Sequence, residues 1–218
     1  MQLPFTPDQF YNVFREYNEA LWPSQLLLVG LAIVAAILVI RPRDWSGVVL
    51  SGILAFLWAW LALAYHLAFF AAINPLAYAF SALSLVGAFV FFWQGVVRRR
   101  LQFSWVGGVR AVVGAVLVIF ALVVYPVWSW VAGHGYPSMP TFGLPCPTTI
   151  FTIGLLAFLA PPYPRSPFVV PVLWCLVGAQ AAFLLGVHQD MGLIVAGLIG
   201  VVLLIRSKML AVRVRITK

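Results

Sequence analysis

Long apolar runs, separated by short polar stretches that hold proline or glycine, make up most of the chain. Seven of these runs reach or approach the roughly 20 mostly apolar residues that a helix needs to cross a membrane. They cover residues 22–40, 48–66, 76–97, 111–131, 147–160, 168–186 and 191–205. The fifth and seventh runs are short, and the length of the fifth also fits a re-entrant segment. The pattern predicts an all-α, polytopic integral membrane protein with seven transmembrane helices in residues 22–218.

Residues 1–21 follow a different, amphipathic pattern. Apolar and aromatic side chains recur there at helical spacing, at Phe10, Phe14, Tyr17 and Leu21. Thr6 and Gln9 have the T-x-x-Q spacing of a capping box, and Pro7 suits the first helical position. We therefore expect a short amphipathic helix in a separate N-terminal unit. This helix lies on the outer membrane surface or, alternatively, caps the mouth of the helix bundle.

The composition indicates that lipid surrounds most of the chain. Hydrophobic residues make up 64% of it and charged residues only 8%, whereas soluble domains have about 25% charged residues. The net charge is +8, but the basic residues stand at the ends of apolar runs and form no aromatic-interleaved basic face, which argues against nucleic acid. Membrane lipids are the expected partners. Two cysteines provide no disulfide framework.

The basic residues also orient the predicted helices, because Lys and Arg collect in short cytoplasmic loops. In the seven-helix arrangement, all of the 13 basic residues except Arg15 fall on one side. Five of them lie in the C-terminal tail, from Arg206 to Lys218. These five would move to the other side if the fifth run were re-entrant. The prediction is therefore seven spans, with the N-terminus outside and a short basic C-terminal tail inside.

The centres of the seven runs lack Asp, Glu, Lys and Arg, and this absence bears on function. Such residues are costly in lipid and usually functional. Ion-coupled carriers commonly have a carboxylate at the membrane midplane, so the sequence argues against them. A seven-helix retinal protein needs a lysine inside the bundle, but both lysines, Lys208 and Lys218, lie in the tail. Retinal proteins are therefore excluded.

The side chains that can do chemistry map to the predicted outer side. They include all three histidines: the set is His66, His134, His188, Cys146 and Asp190. Imidazole and thiolate suit zinc or another divalent or soft metal ion, usually with three or four ligands. We consider a metal site of Cys146, His188 and Asp190, completed by His66 or His134. Glu16 and Glu19 would line its entrance. The alternative is that the histidines are interfacial, since the sequence has no H-x-x-x-H or C-x-x-C spacing.

Cys146 lies between two prolines in G-L-P-C-P-T-T, residues 143–149. Pro147 suits the first turn of the fifth helix, which puts Cys146 at or just before the helix N-cap. The unpaired N–H groups of a helix N-terminus favour a thiolate, so one interpretation is a reactive thiol. The other is that the prolines shape a bend and the cysteine fills space.

Two segments of the chain carry family-like motifs. The first reads F-T-P-x-Q-F followed by Y-N-E-A-x-W-P, within residues 5–23, and the second reads G-x-P-C-P-T-T-I-F-T-x-G-L-L, residues 143–156. Together they resemble an uncharacterised family of bacterial polytopic membrane proteins, a domain of unknown function, over essentially the whole chain. The resemblance implies a bacterial multi-pass protein of the cytoplasmic (inner) membrane. It implies no activity and no catalytic residue.

Three hypotheses about function remain open. The first is a small transporter, or a binding protein for a metal ion or small solute, with an outward-facing Cys/His site. The second is a membrane enzyme that uses Cys146 as nucleophile or redox group and a histidine as base, although a non-enzymatic role is favoured. The third is a structural or partner-binding subunit, including a homo-oligomer. Small residues spaced four apart on the sixth and seventh runs support it, because they let helices pack closely.

Overall fold

The chain forms ten α-helices in the part described by the structure, a computed structural model that covers residues 4–105 and 107–216, with side chains up to Ser207. The helices are α1 (Pro7–Ala20), α2 (Ser24–Ile40), α3 (Ser46–Trp60), α4 (Ala77–Phe91), α5 (Gly108–Ile119), α6 (Tyr125–Val131), α7 (Pro145–Leu156), α8 (Ser166–Gly178), α9 (Gln180–Leu184) and α10 (Met191–Ile216). π-Helical segments extend α3 (Leu61–Leu67) and α4 (Phe92–Val97) and join α5 to α6 (Phe120–Val124). These residues include two isolated β-bridges but no strand. The predicted all-α class is confirmed.

Five helical stretches among the described residues are long and apolar enough to cross a membrane. They cover Ser46–Ala72, Ala77–Val97, Gly108–Val131, Ser166–Leu184 and His188–Ser207. A sixth is counted if α1 and α2, which meet at an angle of 89°, are taken as one broken span. The helix α7 has only 12 residues. All seven apolar runs of the sequence are thus helical in their central parts, and five or six of them meet the length and hydropathy expected of a span.

The short helix α7 passes through the middle of the bundle. Eleven of its 12 residues are buried, and it packs against α5, α8 and α10. A Cβ atom added to Gly114 on α5 would lie 2.9 Å from the carbonyl oxygen of Gly154 on α7, so the two backbones are in close contact. The start of α7 lies beside Asp190, just before α10. After α7 ends, the hydroxyl of Tyr163 donates to the carbonyl of Leu203 on α10 at 3.3 Å. The segment therefore runs along α10 and does not turn back.

The amphipathic helix α1 covers one end of the bundle. Its predicted capping box forms, because the Gln9 amide donates to Thr6 Oγ1 at 3.2 Å and the Thr6 amide donates to Gln9 Oε1 at 2.8 Å. The apolar face of α1, including Phe10 and Phe14, is buried. The ring of Phe10 packs 6.1 Å from the ring of Phe70, which follows α3. Of the two positions that the sequence left open, α1 thus occupies the one over the bundle end.

A buried asparagine, Asn18, joins α1 to α2 and to the loop between α6 and α7. Its amide nitrogen donates to the carbonyl oxygens of Pro137 at 2.5 Å and Met139 at 2.8 Å. Its side-chain oxygen accepts hydrogen bonds from Gln25 Nε2 at 2.5 Å and Thr141 Oγ1 at 2.8 Å. All the hydrogen-bonding capacity of this amide is used. These bonds hold α1 at its angle to the bundle.

Candidate functional site

A cavity of about 190 Å³ lies under α1, between the π-helical end of α3, the start of α7 and the α8–α9 segment. Much of its lining is aromatic, from Phe5, Phe10, Phe14, Phe70, Phe80 and Trp174. Four lining residues are exposed: Leu76, Gln180 and Leu184 lie at the start of α4 and in α9, and Pro4 precedes α1. The cavity therefore opens sideways, between the start of α4 and α9. A largely apolar cavity with a few polar groups is the usual composition of a small-molecule site.

The imidazole of His66 is the main polar group of this cavity. His66 lies in the π-helical segment Leu61–Leu67, and such segments are frequent at functional sites. Its side chain is 0% exposed, and neither ring nitrogen has a hydrogen-bond partner among the described residues. The ring lies 5.0 Å from that of Trp174, whose buried Nε1 has only the Cys146 thiol, a weak acceptor, within range. An unsatisfied buried polar group costs about 1–3 kcal/mol, so the two imidazole nitrogens are a costly feature of the fold beside this cavity.

Cys146 and Tyr125 line one wall of the cavity, and both contact the carboxyl group of Asp190 behind it. Cys146 lies in the first turn of α7, which begins at Pro145, two residues before the predicted start. The thiol lies within hydrogen-bonding range of the Asp190 carboxyl. The hydroxyl of Tyr125 donates to Oδ1 of that carboxyl at 2.5 Å. These contacts offset the cost of burying a carboxyl group that is only 1% exposed.

Gly178 on α8 lets this wall approach the indole of Trp174. A Cβ atom at Gly178 would lie 3.2 Å from Trp174 Nε1 and 3.5 Å from Cys146 Sγ. The indole, the thiol and the imidazole of His66 therefore share one cavity. The groups within hydrogen-bonding range of the thiol are the Asp190 carboxyl and the Trp174 indole, whereas the enzyme hypothesis expects an imidazole base there.

The other residues singled out from the sequence lie outside the cavity. His188, Glu16 and Glu19 are exposed on the surface. His134 stacks on the ring of Tyr11, with ring centroids 4.0 Å apart. These two rings belong to a separate surface groove between α1 and the loop that precedes α7. The glutamates therefore do not line the cavity entrance.

The structure does not bring together all the residues considered as ligands of a metal site. Cys146 and Asp190 meet, but His188 is exposed although it stands only two residues before Asp190. Across residues 4–105 and 107–216, no group of three His, Cys, Asp or Glu side chains has the arrangement of a metal site. What the structure assembles instead is an apolar cavity with hydrogen-bonding groups.

Sequence reasoning missed Trp174 and Tyr125. Both lie inside apolar runs, where aromatic residues are common and attract no notice. A usable signal was present, because a buried indole N–H or phenol O–H usually has a hydrogen-bond partner. Tyr125 finds this partner in Asp190, whereas Trp174 has only the weakly accepting Cys146 thiol within range.

A comparison with known protein families finds a match that extends over nearly the whole chain. A family sequence model matches residues 7–215, from the first residue of α1 to the end of α10. The chain belongs to DUF6064, a family of unknown function. No curated protein matches the chain, and no solved structure does. Membership in DUF6064 confirms the resemblance to an uncharacterised family and brings no activity with it, so the function has to be argued from the cavity.

Proposed function

We propose that this DUF6064 protein binds a small, mostly apolar molecule that carries a carbonyl group, within the membrane. The observation that carries the proposal is the buried imidazole of His66, a lining residue of the apolar cavity, whose two nitrogens lack a partner among the described residues. A neutral imidazole has one N–H donor and one acceptor, and the indole of Trp174 has one donor. A carbonyl oxygen accepts from these N–H groups while the rest of the ligand contacts aromatic rings.

The size of the cavity sets the size of the ligand. An engineered protein cavity of about 150 Å³ lined by apolar side chains binds benzene. The cavity under α1 is somewhat larger, at about 190 Å³. It therefore suits one six-membered ring with a short substituent such as an acetyl group.

The position of the opening supports a ligand that arrives from lipid. Leu184 is the last residue of the apolar stretch Ser166–Leu184, and Leu76 directly precedes the stretch Ala77–Val97. Both side chains are exposed at the opening of the cavity. An apolar molecule partitions into the membrane, so its concentration is highest where this opening lies.

The proposal includes the membrane arrangement expected from the sequence: seven spans, an outer N-terminus and an inner C-terminus, in a bacterial inner membrane. The course of α7 along α10 supports seven crossings. The burial of α7 by other helices supports them too, because a helix shielded from lipid need not match the bilayer thickness of about 30 Å. In this arrangement the cavity belongs to the outer half of the protein.

Of the alternatives within the first hypothesis, the geometry favours an organic solute over a metal ion. The cavity brings together His66, Trp174 and Cys146, and an indole N–H is a donor with no lone pair for a metal. The exposed position of His188 removes one of the imidazoles that a metal site requires. A protein that binds such a solute inside the membrane can serve as its carrier or its sensor.

A matched pair of probes tests the proposal. Acetophenone and α-methylstyrene have nearly the same shape, but only acetophenone has a carbonyl oxygen. We expect acetophenone to bind the purified protein in detergent about tenfold more tightly, as one satisfied hydrogen bond predicts. The dissociation constants are measured from the rise in unfolding temperature with probe concentration.

Variants assign this preference to the cavity. His66→Phe keeps an aromatic ring and the Trp174 donor but removes the imidazole N–H, so the preference for acetophenone is expected to fall to the part that Trp174 supplies. His188→Phe makes the same chemical change at an exposed position and keeps the full preference. If the unaltered protein binds the two probes with equal affinity, or if His66→Phe retains the full preference, the proposed site is wrong.

A further inference from the structure

At the end of α10 away from the cavity, three arginines from separate segments come together. Arg110 lies in the first turn of α5, Arg165 directly precedes α8, and Arg206 lies near the end of the described side chains of α10. The side chain of Tyr163 lies against Arg110 and within electrostatic range of Arg206. This group, Arg110, Arg165, Arg206 and Tyr163, is called the arginine notch below.

Arg110 forms the floor of the arginine notch. Its Nη2 donates to the carbonyl oxygen of Leu159 at 2.7 Å, and its guanidinium lies over the ring of Tyr163, 5.1 Å from the centroid. Its Nε is buried and has no partner among the described residues. A guanidinium has five N–H donors, so Arg110 keeps donors for a further acceptor.

The other two arginines extend the notch along α10. Arg165 Nε donates to Ser207 Oγ at 3.3 Å, which holds this exposed side chain against the helix. Arg206 lies close to Tyr163: burial raises the pKa of Tyr163, and the positive charges of Arg110 and Arg206 oppose that rise. Arg110 and Arg206 are near enough for each positive charge to disfavour the other, and an anion bound between them relieves this repulsion.

The chain provides almost no acidic residues for this role. Three of its five acidic residues, Asp8, Glu16 and Glu19, lie on α1. Asp190 precedes α10 at the opposite end. The fifth, Asp44, is an exposed residue in the loop between α2 and α3. The anion that balances the arginine notch must therefore come mainly from outside the chain.

We propose that the arginine notch binds the phosphate group of an anionic phospholipid. Guanidinium groups match the geometry of phosphate oxygens and bind them bidentately. Arg110 and Arg206 lie at the ends of the apolar stretches Gly108–Val131 and His188–Ser207, which is the depth of lipid headgroups. Basic pockets between helices at this depth bind acidic lipid headgroups. The site is independent of the cavity and of its ligand.

Titration of the purified protein in dodecyl maltoside with phosphatidylglycerol or phosphatidylcholine tests this site, with native mass spectrometry counting the bound lipids. The test variant is Arg165→Gln with Arg206→Gln, because both side chains are exposed. Arg110 is left intact because its bond to Leu159 supports the fold. The control is Arg41→Gln with Arg43→Gln, which removes the same charge from exposed positions between α2 and α3.

We expect phosphatidylglycerol to bind more tightly than phosphatidylcholine, and the test variant to weaken its binding about tenfold or more. The control should change it by less than about twofold. Equal weakening by both variants, or equal affinity for the two lipids, would show only general surface attraction and overturn the proposal. An added arm with inorganic phosphate separates the two sources of the phosphate group. Phosphatidylglycerol binding that persists in millimolar phosphate supports the lipid as the ligand. If millimolar phosphate displaces phosphatidylglycerol from the unaltered protein but not from the test variant, the site prefers free phosphate and the lipid assignment is rejected.

Discussion

Replacing His66 by phenylalanine should stabilise the ligand-free protein. The imidazole is 0% exposed, and its two nitrogens have no partner among the described residues. Each unsatisfied group costs about 1–3 kcal/mol. Phenylalanine removes both and keeps an aromatic ring beside Trp174 and Phe80, whose centroids lie 5.0 Å and 5.8 Å from that of His66. Its extra volume can extend into the adjoining cavity of about 190 Å³.

Allowing for some repacking, we expect the free energy of unfolding to rise by about 1–3 kcal/mol. Most core substitutions lower it instead. At about 2–4 °C for each kcal/mol in a chain of this size, the unfolding temperature should rise by roughly 3–10 °C. The assay is thermal unfolding of purified protein in detergent without added ligand. His188→Phe, on the surface, should shift the temperature by less than about 2 °C. A fall of 3 °C or more in His66→Phe would mean that the imidazole makes stabilising bonds in the free protein. That result would refute the cavity argument.

Two further substitutions test the packing that positions the site, by the same assay. Asn18→Asp replaces two donated hydrogen bonds by a carboxylate that faces two carbonyl oxygens, and should lower the free energy of unfolding by about 3–5 kcal/mol. The control is Asn12→Asp, at an exposed position of the same helix, which should lower it by less than about 1 kcal/mol. Gly114→Ala places a Cβ 2.9 Å from the Gly154 carbonyl oxygen and should cost about 1–3 kcal/mol. Gly30→Ala, with open space around its Cβ, should be neutral or stabilising. Equal effects of each variant and its control would contradict the packing described for α1 or α7.

The helices and the N-terminal capping box could be predicted because local features determine them. The length of an apolar run limits where a helix can lie, and the Thr6–Gln9 spacing satisfies the first N–H groups of α1 without help from the rest of the chain. The 12 residues of α7 were harder to assign, since burial by neighbouring helices permits a helix shorter than the bilayer. That burial is a property of the whole bundle.

The candidate site could be predicted only in part, because burial changes within one turn of the chain. His188 and Asp190 belong to the same short 3₁₀ segment, yet the first side chain is exposed and the second is buried against Tyr125. From residue type alone, His188 and Asp190 are equally good candidates for metal ligands. His66 and Trp174 are more than a hundred positions apart, and the packing of α4 against both the π-helical end of α3 and α8 brings their rings together. Neither contact has a signature in sequence spacing.

The unsatisfied polar atoms provide a criterion for locating ligand sites that does not depend on cavity shape or on charge. Eight buried side-chain nitrogen and oxygen atoms lack partners among the described residues. Three of them belong to His66 and Trp174, at the cavity under α1. Two others are Arg110 Nε, in the arginine notch, and Gln94 Oε1; the amide nitrogen of Gln94 donates to Ser166, the residue after Arg165. The other three, on Ser84, Thr148 and Thr149, belong to neither proposed site. Native proteins satisfy nearly all such groups. Two bound ligands would account for the five atoms at the two proposed sites, because each bound molecule supplies hydrogen bonds that the chain itself does not.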